Sequence, residues 1–172
     1  MKRQIRRNVF ETNSSSMHSL TIDNKALTNS ILHVNEDNKI PVELGEFGWG
    51  IENHYDQATK LSYLVVMALE KELRDVKAED DLYQTEGFKA INDAIAEYCK
   101  CDGIVVENFG FELHSYESEG ATKYYSQHNG YIDHQSCGDY ASLQDYLDDQ
   151  GLSILEFVFG EDITLHISND NQ

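Results

Sequence analysis

The chain reads as an α+β fold, a mostly antiparallel sheet with two main helices packed on one face. Two apolar stripes at three- and four-residue spacing follow one another between about residues 56 and 100. Short apolar or alternating segments lie before and after them, and Asn129-Gly130 stands between two polar-aromatic arms as a hairpin signal. Strands grouped on either side of consecutive helices indicate α+β rather than an alternating β/α order. At 172 residues and 40% hydrophobic, the chain can bury one core and not two, so a single domain over 1–172 is expected.

Val9-Phe10, inside the polar stretch 4–12, suggests a first strand, and Met17, Leu20 and Ile22 a second, joined by a hairpin around Asn13 to Ser16. Ile31 to Val34 and Ile40 to Leu44 are further short strands. The second holds the only proline, Pro41, which suits an edge or a strand start. The first helix is expected from about Asp56 to Ala78, capped by Asp56, with Leu61, Leu64, Val65, Ala68, Leu69, Leu73 and Val76 inward. Glu70, Lys71, Glu72, Arg74 and Lys77 then face water. The second runs from Gln84 or Thr85 to Lys100, with Phe88, Ile91, Ile95, Tyr98 and Cys99 inward and Asp102-Gly103 to stop it.

Ile104-Val105-Val106 reads as a strand, and Phe109 to His114 as another. Lys123 to Ser136 reads as a hairpin turning at Asn129-Gly130. A two-residue turn there pairs His128 with Tyr131 and Ser126 with Asp133. Tyr124, Ser126, His128, Tyr131, Asp133 and Gln135 then share one face, and Tyr125, Gln127, Ile132, His134 and Ser136 the other. A short helix around Ser142 to Leu147 follows. Leu152 to Phe159 fits helix or strand equally, and the alternation Ile163, Leu165, Ile167 is a last strand before Asn169-Asp170-Asn171. There is no internal repeat and no low-complexity linker.

Charge is the strongest functional signal. Thirteen Lys and Arg against thirty-one Asp and Glu give −18. Residues 101–172 hold fourteen acids and one base, Lys123, hence −13, and six of the ten tyrosines lie between Tyr116 and Tyr146. Four bases, Lys2, Arg3, Arg6 and Arg7, form a basic tip at residues 1–7. Such a field repels nucleic acid and anionic membrane and attracts basic protein surfaces. The partner expected is the basic surface of a host protein, with no direct nucleic acid and no membrane. Tyr116, Glu117, Glu119, Tyr124, Tyr131, Asp139, Tyr140 and Asp145 are the candidate contact residues.

The rival reading is an enzyme acting on a nucleotide or phosphoester. Arg6, Arg7, Asn13, Ser14, Ser15 and Ser16 could cradle a phosphate, and His18, His128, Asp133 and His134 could supply acid–base or metal chemistry. Against it, the chain has no Walker-type lysine, no dinucleotide glycine fingerprint, no nucleophile elbow and no paired histidines at helical spacing. No cofactor and no metal are expected. Cys99, Cys101 and Cys137 are odd in number, and Cys99-x-Cys101 is too short for a zinc knuckle, so they read as free thiols of a reducing compartment. With no apolar leader behind Met1-Lys2-Arg3 and no run of about 18 apolar residues, the expected location is cytoplasmic, and the Asn13-Ser14-Ser15 sequon is coincidental.

The stretch Arg6-Arg7-Asn8-Val9-Phe10-Glu11-Thr12-Asn13-Ser14-Ser15-Ser16-Met17-His18-Ser19 resembles the start of a family of small uncharacterised proteins of Gram-positive bacteria and their phages. Gly130-Tyr131-Ile132-Asp133-His134-Gln135-Ser136 and the end from Phe157-Val158-Phe159 to Asn169-Asp170-Asn171 are similar to it as well. The resemblance covers roughly a quarter of the chain, by these three stretches. It carries no known activity and so assigns no catalytic residue. What it implies is a cytoplasmic accessory protein borne by a phage or mobile element, whose three polar stretches gain interest as a shared site.

Overall fold

The computed structural model describes residues 17–21, 27–72, 79–133 and 140–168. Its centre is the helix Gln57–Glu72 (α1). Asp56 caps it, its carboxylate accepting the Thr59 amide at 2.7 Å. Desolvation pushes that carboxyl upward, yet the Thr59 hydrogen bonds outweigh it and hold Asp56 below the ordinary carboxylate range. The expected single stripe is too narrow a description of α1, because every residue from Lys60 to Leu69 is buried. Tyr63, Val66 and Met67, off the stripe, are as fully enclosed as Leu64 and Ala68. A helix apolar on all sides has to be surrounded. Ser62, a polar residue in that run, donates to Glu43 O at 2.7 Å and accepts the Gly45 amide at 3.0 Å.

The surrounding layer contains the second helix, Glu86–Cys99 (α2), preceded by a 3₁₀ turn at Glu79–Gln84. Thr85 caps α2 and Lys100, at φ 56°, ends it, two residues before the expected Asp102-Gly103 stop. Phe88, Ile91 and Ile95 are its buried face. Two shorter helices, Leu143–Gln150 (α3) and Ile154–Phe159 (α4), also pack on α1. Residues 154–159 of that ambiguous stretch resolve as helix because Ser153 and Glu156 form a capping box, and Phe157, Val158 and Phe159 face the core.

Among the described residues the strands form four small sheets of mixed direction rather than one mostly antiparallel sheet. Met17–Thr21 (β1), Glu52–His54 (β4) and Thr164–Ser168 (β9) make an antiparallel sheet with β9 in the middle, Leu20 opposite Leu165. Ile40–Val42 (β2) pairs with Ile104–Val106 (β5), Ile40 opposite Ile104, in parallel, since both helices intervene in the chain and return it in the same direction. Asn108 prolongs that pairing, its carboxamide accepting the Leu44 amide at 2.7 Å and donating to Leu44 O at 3.2 Å. Glu46–Phe47 (β3) and Tyr131–Ile132 (β8) are also parallel.

Ile31 to Val34 forms no strand. Its backbone is held by the buried Gln57, which accepts the Ile31 amide at 2.8 Å and donates to Asn29 O at 3.0 Å, leaving Ile31 exposed. The strands expected at 4–12 and their turn at Asn13 to Ser16 lie outside the described residues, as do Leu73 to Ala78 and the end from Asn169.

The expected hairpin at Asn129-Gly130 is replaced by another. Glu112–Ser118 (β6) and Ala121–Gln127 (β7) pair antiparallel through a two-residue turn at Glu119-Gly120. Both turn residues have positive φ, 51° and 78°, which matches the twist of the flanking strands. Asn129 instead closes onto Phe109, its amide donating to Phe109 O at 2.8 Å, and Gly130 at φ 84° brings the backbone against Leu44 and Val66.

A glycine of comparable importance is Gly103, at φ +102°, where an added Cβ would meet the Asn92 carboxamide. The Asn92 oxygen accepts the Ile104 amide at 3.0 Å and so anchors β5. Gly103→Ala is expected to cost about 1–3 kcal/mol, read as a lowered melting temperature. An unchanged melt would show that β5 does not depend on this contact.

Candidate functional site

The β6–β7 ribbon places exposed aromatic side chains on both of its faces. Register puts His114, Tyr116, Lys123 and Tyr125 on one face, and Leu113, Glu117, Thr122 and Tyr124 on the other. Tyr124 is 61% exposed, Tyr125 52%, Tyr116 49% and Leu113 42%, so neither face is core. The ribbon holds itself together across its strands: the His114 and Tyr125 rings stack at 5.0 Å, Tyr116 tilts on Tyr125 at 6.1 Å, and Thr122 Oγ1 donates to Glu117 at 2.6 Å. Phe109, buried, and Phe111, half-buried, stack at 5.7 Å and moor its base to the core. Glu112, Glu117 and Glu119 lie along it with Lys123 as its single Lys or Arg. Among the described residues neither strand pairs with a third, so both ribbon edges are unpaired.

At the foot of β7 lies a depression of about 450 Å³, lined by Glu46, Glu70, Gln127, His128, Asn129, Gly130 and Tyr131. Its residues come from β3, α1, the end of β7 and the start of β8. His128 is half-buried, stacks on Phe109 at 5.8 Å and has its Nδ1 at 2.7 Å from Asn129 O. The Tyr131 ring stacks on Trp49 at 5.3 Å, and its hydroxyl donates to Asp133 Oδ1 at 3.4 Å.

The sequence-derived contact residues divide between elements. Tyr116, Glu117, Glu119 and Tyr124 share the ribbon, and Asp145 is exposed in the first turn of α3. Tyr131 is half-buried against Trp49. Tyr140 is a packed residue rather than an open anchor. Its ring meets the buried Tyr146 edge-on at 5.3 Å and its hydroxyl donates to Asp149 at 2.9 Å. Burial, then the Asp149 carboxylate, pushes its phenol up to about 12. Asp139 lies outside the described residues.

Of the catalytic candidates, His128 and Asp133 do not share the face of a β7–β8 hairpin as expected, because β8 pairs with β3 and not with β7. Asp133 is buried, its amide donating to Phe47 O at 2.9 Å, and it does not line the depression that holds His128. His134, Arg6, Arg7, Asn13, Ser14, Ser15 and Ser16 lie outside the described residues, and His18 is placed only as a β1 backbone position opposite Ile167. No group of three or more His, Cys, Asp or Glu suited to a metal ion occurs among the described residues. Nor does any helix among them have the length and apolarity to cross a membrane. Cys99 and Cys101 are free, burial raising the Cys99 thiol, and Cys137 lies outside the described residues.

Sequence reasoning passed over Tyr125, Leu113 and Trp49. Trp49 is the only tryptophan, lies between Gly48 and Gly50, and is 61% exposed. A tryptophan flanked by glycines has few local neighbours to cover it, and that was the available signal. Comparison of the chain with family models, curated proteins and solved structures found no match.

Proposed function

We propose that the protein is an acidic binding module whose β6–β7 ribbon docks on a basic, nucleic-acid-binding surface of a host protein and blocks it. The observation that carries this reading is the pair of aromatic ribbon faces, Tyr116 with Tyr125 and Tyr124 with Leu113, left open on a chain of net charge −18. A two-stranded ribbon exposed on both faces is marginal in water, so aromatic groups kept there gain most from a covering partner. Carboxylates arrayed along a protruding element can occupy a groove shaped for phosphates, and the tyrosines then supply desolvated anchors. The motif resemblance to phage-borne proteins accords with a role in trans on a host target.

Capture of partners from host lysate, followed by kinetics on the partner found, tests the reading. Reversing Glu117 and Glu119 to Lys is expected to slow association and flatten its salt dependence. Tyr116→Ala with Tyr124→Ala is expected to weaken binding by at least about tenfold, mainly through faster dissociation. Full cellular activity of both ribbon variants, with loss on His128→Ala or Asp133→Asn in a chain that still folds, would instead favour an enzyme. The protein itself is expected to give no DNA or RNA gel shift at micromolar concentration and about 150 mM salt, since four positive charges at 1–7 neutralise few phosphates within so negative a field. A shift persisting at that salt would contradict the proposed partner chemistry.

A further inference from the structure

We propose that the depression at the foot of the ribbon is a seat for an arginine side chain of the partner. This rests on the docking reading above and adds a defined recognition site to it. Among the described residues lining it are the carboxylates Glu46 and Glu70, brought together from a strand and a helix, beside the His128 imidazole. Gln127 and Asn129, which carry carboxamides, also line it, and Tyr131 adds an aromatic ring stacked on Trp49. Carboxylate oxygens, amide oxygens and a stacked ring face together match a guanidinium, a planar fork of N–H donors that also lies on aromatic faces. A lysine ammonium, compact and strongly hydrated, uses the carboxylates but little of the aromatic wall.

The floor of the seat is closely packed. Gly130 lies so close to Leu44 and Val66 that an added Cβ would come within 2.8 Å and 2.9 Å of them. The Glu46–Tyr131 pair is fixed by the parallel register of β3 and β8, and Asn129 is tied to Asn108 O and Phe109 O. A ligand entering such a seat meets a preorganised wall and loses little binding energy to ordering it. The site is continuous with the ribbon, because Gln127 is the last residue of β7. An arginine seated here would hold the partner at the base of the ribbon while Tyr116, Tyr124 and Tyr125 grip it further out.

Trp49 reports on the site directly, being the only tryptophan of the chain and stacked on Tyr131. The experiment titrates the 172-residue chain with tetra-arginine and tetra-lysine peptides at about 150 mM salt, following Trp49 fluorescence. Tetra-arginine is expected to give a saturable change and tetra-lysine a change at least fivefold weaker in apparent affinity. The double variant Glu46→Gln, Glu70→Gln should lose at least tenfold for tetra-arginine, and the single Glu46→Gln, at an exposed position, should lose part of that with an unchanged melting temperature. Equal responses to the two peptides, or a tetra-arginine response that both variants leave intact, would overturn the seat.

The same variants separate this inference from the docking reading. Partner capture that depends on Tyr116 and Tyr124 but not on Glu46 and Glu70 overturns the seat alone. A tetra-arginine response lost in the Glu46 and Glu70 variants, alongside partner capture indifferent to the ribbon, overturns the ribbon reading and leaves the seat standing.

Discussion

Leu64→Ala is expected to destabilise the protein by about 2–5 kcal/mol, with equal or smaller losses for Leu69→Ala, Ile91→Ala and Ile95→Ala. Leu64 is 0% exposed and Leu69 1%, both on α1, and Ile91 and Ile95 are 0% exposed on the facing helix α2. The magnitude follows from geometry as well as from transfer. α1 is enclosed by α2, α3, α4, β2 and β8, so a missing side chain leaves a cavity walled by several independent elements that cannot all collapse into it. Tyr63 illustrates the density, stacking on Phe157 at 6.1 Å and meeting Phe47 edge-on at 5.2 Å. Denaturant melts of the four variants check the expectation. Midpoints unchanged in all four would mean that α1 and α2 do not pack as described.

The second large effect is a pH dependence carried by Lys60. Its side chain is 2% exposed in the first turn of α1, and its ammonium donates to Ile163 O at 3.2 Å. Burial lowers its pKa from 10.5 to about 8, the nearby Asp56 carboxylate restoring only part of the loss. Between pH 8 and 10.5 the unfolded chain holds the proton that the folded chain has released, so stability from this group rises with pH across that window. It is absent below about pH 8 and fully present above the unfolded value. Lys60→Met, of similar length and without charge, removes the titration. The stability difference between wild type and Lys60→Met is therefore expected to move by about 3 kcal/mol in favour of wild type between pH 7 and 10.5. Urea melts of both proteins at several pH values measure it. Parallel curves would show that Lys60 keeps an ordinary ammonium in the folded state.

Much of the scaffold was legible because it is written in short-range signals. The starts of both long helices follow from Asp56 and Thr85, whose side chains accept the first free amides. Ile163, just before β9, and Leu165 and Ile167 within it alternate inward, and Ile104 and Val106 are buried in β5, as two-residue periodicity requires. The capping box Ser153-x-x-Glu156 was also readable and would have settled 154–159 as helix. The continuous apolar run of α1 from Tyr63 to Leu69 likewise announced burial on all sides, beyond the stripe that spacing alone suggested.

Hairpin choice was not legible. Asn129-Gly130 and Glu119-Gly120 both supply positive φ, and local preference favours the first, yet the chain turns at the second. Gly130 spends its freedom on a close pass over Leu44 and Val66, a demand set by side chains more than sixty residues away. The same holds for strand direction: β2 and β3 find parallel partners because the helices between return the chain on the same side.

The sequence by itself determined the two long helices, the Asp56 cap, the inward face of the last strand and the acidic, tyrosine-bearing character of the C-terminal half. These depend on neighbours within a few residues or on summed charge, neither of which needs a fold. Only the tertiary structure decided which tyrosines are open, placing Tyr116, Tyr124 and Tyr125 on the ribbon while Tyr140 packs against Tyr146. It alone brought Glu46 and Glu70 to one depression beside Tyr131 and parted His128 from Asp133. Exposure and juxtaposition are properties of the packed whole, since a side chain's surroundings are set by the elements that close over it and not by the residues beside it in the chain.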